Sequence, residues 1–155
     1  MPAHLYEAHC SWSGSTGVGY DAYPRNHAGW APPAAVPLAL SSDPTFRGDP
    51  SRLNPEQLLV LAASSCQLLS FLAVAARARL DVVAYDDDAR GEMPDDATPM
   101  CLSRIVLRPR ITLAGPVNEE RVRHLVQVAH RECYIANSLK TEIEVNPTIV
   151  VAAPR

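Results

Sequence analysis

The chain has 155 residues, 47% of them apolar and 20% charged, with a net charge of −3. That length and balance predict one globular domain, residues 1–155, able to bury a core without disulfides or metals. The weak negative charge lacks the basic footprint of a nucleic-acid binder or of a protein drawn to anionic membranes, so neither partner is expected.

In chain order, Leu5 to Trp12 has strand character, and Gly14, Gly17 and Gly19 supply turn material after it. Val18 to Tyr23 is predicted as a second strand, completing a hairpin. Gly29 to Pro37, rich in Pro and aromatics, reads as loop, and Val36 to Leu40 as a short strand. Ser41 to Pro55 holds Pro44, Gly48, Pro50 and Pro55 and reads as an ordered loop. Residues 1–53 therefore form N-terminal strands and a Pro-rich loop.

Asn54-Pro55-Glu56 opens a helix that fills residues 54–80, running to about Arg79. Asn caps free backbone N–H groups, Pro suits the first helical position, and Glu opposes the positive end of the helix dipole. Leu58, Leu59, Leu61, Ala62, Leu68, Leu69, Phe71 and Leu72 make this helix apolar on nearly every side. A helix apolar all round must be covered all round, which predicts a central helix between sheets or one at a dimer interface. Ser64, Ser65, Gln67 and Ser70 interrupt the run, so a buried core helix is expected and not a membrane span.

Residues 81–155 continue with a strand over Val82 to Met93 and a Pro/Asp turn at 94–100. From Cys101 the alternation is clear: Cys101, Ser103, Ile105, Leu107, Ile111 and Leu113 share a face, with Arg104, Arg108 and Arg110 on the other. Pro109 marks an edge position or a bulge. Val117 to Glu132 is an amphipathic helix, Cys133 to Leu139 caps or follows it, and Thr141 to Ala152 is the last strand. The order β-β(-β)-α-β-β-α-β defines an α+β protein.

Met1 to Cys10 shows no basic patch followed by an apolar run, which predicts no signal peptide and a cytoplasmic, reducing location. There, the four cysteines Cys10, Cys66, Cys101 and Cys133 are expected as free thiols, metal ligands or redox groups. His124 and His130 lie near Cys133, but six residues put them on different helix faces, and no CxxC or HxxxH spacing occurs, so no metal is expected. Cys10 and Cys101 fall in predicted strands and are expected in the core.

Two stretches carry a recognisable pattern. One is Asn54-Pro55-Glu56-Gln57-Leu58-Leu59 followed by Cys66; the other is Cys133-Tyr134-Ile135-Ala136-Asn137-Ser138-Leu139 running into a strand. Together they resemble the OsmC/Ohr family, with its Asn-Pro-Glu-Glu-Leu helix start, buried cysteine and distal Cys-Pro-x-Ser-Asn-Ser-Leu-type segment. Tyr134 stands where many relatives have Pro.

The resemblance implies an intertwined homodimer, with two long helices wrapped by antiparallel sheets from both chains. It also implies cofactor-free, thiol-dependent reduction of organic hydroperoxides, reset by an external dithiol. By position, Cys66 resembles the peroxidatic cysteine, Cys133 the resolving one, and Glu56 the carboxylate that holds an arginine beside the thiolate. Arg47, in Thr45-Phe46-Arg47-Gly48, and Arg25, in Tyr23-Pro24-Arg25-Asn26-His27, both stand as candidates for that arginine. The alternative is a small-molecule-binding or redox-sensing protein on the same fold.

The thiol chemistry needs that cation. Cys66 lies about three turns into its helix, beyond the reach of the dipole, and apolar surroundings raise a thiol's pKa. Glu56 and Cys66 are separated by ten residues, roughly 15 Å along a straight helix. Either the helix breaks between them, or Glu56 serves a site built partly from a partner chain; the second is the expectation.

Overall fold

A computed structural model describes residues 2–153; residues 1, 154 and 155, the ends of the expected 1–155 domain, lie outside the described residues. The chain divides into two compact units, the first reaching Leu58 and the second starting at Leu59.

The first unit is built on a three-stranded antiparallel sheet in the order β1 (His9–Ser11), β2 (His27–Trp30), β3 (Leu38–Leu40). The second strand is therefore not Val18–Tyr23, which folds as turns after a single 3-10 turn, Thr16–Val18. The Ser15 hydroxyl caps that turn, and Gly19 leaves it at a φ of 97°, where glycine is favoured. His27–Trp30 instead pairs with a strand on each side, in a segment read in part as loop. Its extended form comes from those partners and not from its own composition. The ordered loop before the helix contains a second 3-10 turn, Pro44–Phe46, capped by the Asp43 carboxylate. Gly48 is required there: a Cβ at that position would stand 1.6 Å from the Ser42 carbonyl oxygen.

The helix α1 (Pro55–Arg77) starts at a reciprocal cap. The Asn54 side chain accepts from the Gln57 amide at 2.9 Å, and the Gln57 side chain accepts from the Asn54 amide at 3.0 Å. This is the capping-box logic with Asn and Gln as its members. The helix runs unbroken past Cys66, so a break between Glu56 and Cys66 is ruled out.

In the second unit, three extended segments each split into two strands. They are β4 (Val82–Asp87) and β5 (Arg90–Glu92), β6 (Arg104–Leu107) and β7 (Pro109–Leu113), and β8 (Glu142–Val145) and β9 (Thr148–Val151). The resulting sheets have the orders β4-β7-β9 and β5-β6-β8. The middle segment runs antiparallel to the first and parallel to the third in both sheets. Continuous alternation in the sequence hid these breaks. They fall at matching positions and are stitched by hydrogen bonds, Arg108 N to the Asp87 carboxylate at 2.6 Å and Asn146 N to the Leu107 carbonyl at 2.8 Å. Pro109, expected at an edge or bulge, is buried at the first residue of the central strand β7, a position that tolerates a missing donor.

One face of this double sheet presents Ile105, Leu107, Ile111 and Leu113, all fully buried. They join Phe71 of α1 and Val122, Val126 and Ala129 of α2 (Glu119–Glu132) in one core. The Asn118 side chain caps α2 by accepting from Arg121 N at 3.2 Å. Inside the core, the Gln67 amide donates to the Val126 carbonyl at 3.3 Å, tying α1 to α2.

The inner face of α1 is Ala63, Gln67, Phe71, Val74 and Ala75. Its other side leaves Leu61 57% and Leu69 64% exposed, so the helix is covered on one face only in a single chain. By length and mean hydropathy, 2.1, it could also cross a membrane.

Candidate functional site

Cys66 and Cys133 meet in the second unit. Cys66 is half-buried in the middle of α1, and Cys133 is 1% exposed at the junction of α2 and the short helix α3 (Tyr134–Ser138). Both thiols are free, and they lie close enough for Cys66 to raise the pKa of Cys133. The junction explains the burial. Cys133 leaves α2 with extended backbone, its amide donating to the His130 carbonyl at 3.3 Å, and its own carbonyl accepts from Asn137 N at 3.0 Å.

The Asn137 side chain then donates to the Arg131 carbonyl at 3.0 Å, and the Ser138 hydroxyl to the Tyr134 carbonyl at 2.6 Å. Asn137 and Ser138 therefore fix the turn that aims Cys133 inward. Tyr134 occupies the first position of α3, where Pro is tolerated, and points to solvent.

Burial pushes the Cys133 thiol up to about 11, and the neighbouring Cys66 adds to the rise. The Ala136 and Ile135 amides at the start of α3 oppose it. A thiol in that state is overwhelmingly protonated at neutral pH and a poor first nucleophile.

Cys66 opens onto a groove of about 500 Å³. Leu69, Ser70, Ala73 and Arg77 line it from α1, with Glu132 from α2 and Asn137 from α3. The α1 members follow Cys66 at helical spacing on one face, and Arg77 is three turns further on. That spacing was present in the sequence and would have drawn Arg77 into the site; Glu132 and Asn137 depend on how α2 and α3 pack.

Arg25, Arg47 and Glu56 belong to the first unit. Arg25 donates to the Tyr20 and Tyr23 carbonyls and stacks on both rings, 4.7 and 3.6 Å from their centroids. Arg47, in left-handed backbone at φ 68°, makes an ion pair with Asp21 at 2.7 Å and is half-exposed. Glu56 sits half-buried in the first turn of α1. Cys10 and Cys101, expected in the core, are both exposed: Cys10 lies in the edge strand β1, and Cys101 precedes β6 in the loop. Among the described residues no three His, Cys, Asp or Glu side chains converge as a metal site.

The fold is that of an α+β protein in which a half-buried thiol neighbours a fully buried one, carried by helices against a split sheet. The chain belongs to the OsmC-like protein family, whose model matches residues 48–148. The fold is similar to that of an OsmC-like protein of unknown function from Vibrio cholerae, with a TM-score of 0.84 and 26% identity, covering 94% of this chain and 100% of that one. It is also similar to an organic hydroperoxide resistance protein OsmC from Legionella pneumophila, with a TM-score of 0.70 and 18% identity, covering 97% and 100%. An OsmC-like protein from Mycoplasma pneumoniae gives a TM-score of 0.75 at 16% identity, covering 95% and 98%. No curated protein sequence matches the chain.

Proposed function

We propose that this protein is a dithiol peroxidase that reduces organic hydroperoxides. The observation that carries the reading is the asymmetry of the pair: Cys66 faces a groove, while Cys133 is buried against it and holds its proton. The Cys66 thiolate attacks the terminal peroxide oxygen. An S–O bond forms, the O–O bond breaks, and the alkoxide takes a proton and leaves as the alcohol. Cys133 then attacks the Cys66 sulfenic sulfur. The S–S bond forms, and the sulfenic hydroxyl leaves with the Cys133 proton as water. An external dithiol restores both thiols by two exchanges and is itself oxidised to a disulfide. The apolar groove members Leu69 and Ala73 suit an organic peroxide over hydrogen peroxide.

The reading assigns the activating cation to Arg47 or Arg25, held by Glu56 in a homodimer that covers the open face of α1, in a reducing cytoplasm. Arg47 is favoured. Its one ion pair is exposed and of the kind worth about 0–1 kcal/mol, so it is easily redirected. Arg25 is committed to two carbonyls and two rings.

A binding-module reading draws on a separate pocket of about 300 Å³ in the first unit, lined in part by Trp12, Tyr23, Arg25 and His27. A thiol count before and after one equivalent of cumene hydroperoxide separates the two. The peroxidase reading expects two thiols lost per chain, none lost in Cys66→Ser, and a slowed loss in Arg47→Ala. An unchanged count in the wild type favours the binding module.

A further inference from the structure

The pocket of the first unit has a chemistry of its own, and every residue that lines it belongs to that unit. Its volume of about 300 Å³ is at the small end of the roughly 300–1,000 Å³ that ligand sites span. Trp12, Tyr23, Pro24 and Pro55 supply flat apolar walls. The indole is held in place: Trp12 Nε1 donates to the Pro24 carbonyl at 2.8 Å, and the Tyr23 ring stands nearly perpendicular to it with centroids 6.2 Å apart. Gly14 makes room for the indole, because a Cβ at that position would stand 2.7 Å from its Cζ2.

The polar part of the lining is one-sided. Arg25 uses one N–H of each terminal nitrogen on the Tyr23 and Tyr20 carbonyls. A guanidinium has five donors, so the others remain for a ligand. Ser41 is fully buried; its hydroxyl oxygen accepts from the Asp49 amide at 3.0 Å, and among the described residues its own O–H has no acceptor. His27 Nδ1 donates to the Arg25 carbonyl at 2.7 Å and so fixes the backbone that carries the guanidinium. No Asp or Glu is among the lining residues. Donors without acceptors, beside a fixed positive charge, select a ligand group that is anionic and accepts hydrogen bonds. Flat apolar walls select a ring.

We propose that this pocket binds a small aromatic acid, with its ring against Trp12 and Pro55 and its carboxylate on Arg25 and Ser41. The planar carboxylate matches the guanidinium fork, and the buried Ser41 O–H gains the acceptor it lacks. A cationic ring of the same size would meet the Arg25 charge with no counter-ion. An acid without a ring would leave the walls unfilled. The proposal stands whether or not the chain is a peroxidase, since neither Cys66 nor Cys133 lines this pocket.

The chain has two tryptophans, and each gives one indole N–H signal by heteronuclear NMR of the isotope-labelled full chain. Trp30 is not a lining residue; it stacks on His9 with centroids 4.2 Å apart and serves as the internal control. The signals are assigned with Trp30→Phe, and the protein is titrated with benzoate, benzylamine, benzyl alcohol and acetate. Benzoate should move the Trp12 signal saturably while Trp30 stays fixed. It should bind at least about 10-fold tighter than any of the other three.

Arg25→Gln should weaken benzoate about 10- to 100-fold, the effect of losing hydrogen bonds to a charged group, and leave benzyl alcohol unchanged. A Trp30 signal at its wild-type position shows that the variant has folded, and the wild-type ligand series decides the matter without any variant. A Trp12 signal unmoved by benzoate at about 10 mM, a shift shared equally by Trp30, or benzylamine or acetate binding as tightly as benzoate overturns the proposal. None of these results bears on the chemistry of Cys66 and Cys133.

Discussion

Cys133 makes the stability of the reduced protein depend on pH in a defined window. Burial, with Cys66 beside it, moves its thiol from an ordinary 9.0 up to about 11. The residue is 1% exposed, so little water reaches the thiol. The folded chain binds this proton more tightly than the unfolded chain does. The contribution is therefore complete below pH 9, declines as the pH rises, and is lost above 11. A two-unit difference corresponds to about 3 kcal/mol. Urea unfolding of the reduced protein from pH 8 to pH 11, for wild type and Cys133→Ala, measures it. Cys133→Ala starts lower through its cavity, on the order of 1–2 kcal/mol. The gap between the two curves should close, and then reverse, by about 3 kcal/mol across the window. Groups remote from Cys133 that titrate there affect both proteins alike. Parallel curves would refute the assignment of a buried, proton-holding thiol.

Two further substitutions test the frame around the site. Phe71→Ala should cost about 3–5 kcal/mol by urea unfolding, because it empties a fully buried site shared by α1 and the sheet. Gly48→Ala should destabilise the loop before α1, because its Cβ would collide with the Ser42 backbone. Faster proteolytic cleavage between Ser41 and Pro55, with little change in the β4-β7-β9 amides by hydrogen exchange, is the expected result.

The sequence made most of the second unit legible, because its signals are local. Alternation from Ile105 to Leu113 and the helical stripe of Val122, Val126 and Ala129 both face the core as expected. The start of α1 was equally readable, since Asn54 and Pro55 act within one turn, although the reciprocal partner is Gln57. Position β2 was hidden because His27–Trp30 is extended only through its two neighbours. The sheet breaks were hidden because a backbone switch at Arg108 or Asn146 leaves the alternation of side chains intact.

For the site, the resemblance singled out both cysteines, and the fold makes them neighbours. The placement of Cys10 and Cys101 failed for a structural reason. An edge strand and a loop give a cysteine nothing to pack against, whatever its sequence neighbours.

The most direct test of the dithiol account is a peptide map after one equivalent of cumene hydroperoxide, with free thiols blocked by alkylation. The account predicts one cross-linked species joining the peptides of Cys66 and Cys133, with Cys10 and Cys101 alkylated. Recovery of Cys66 and Cys133 as separate alkylated peptides, with the peroxide unconsumed, would contradict it.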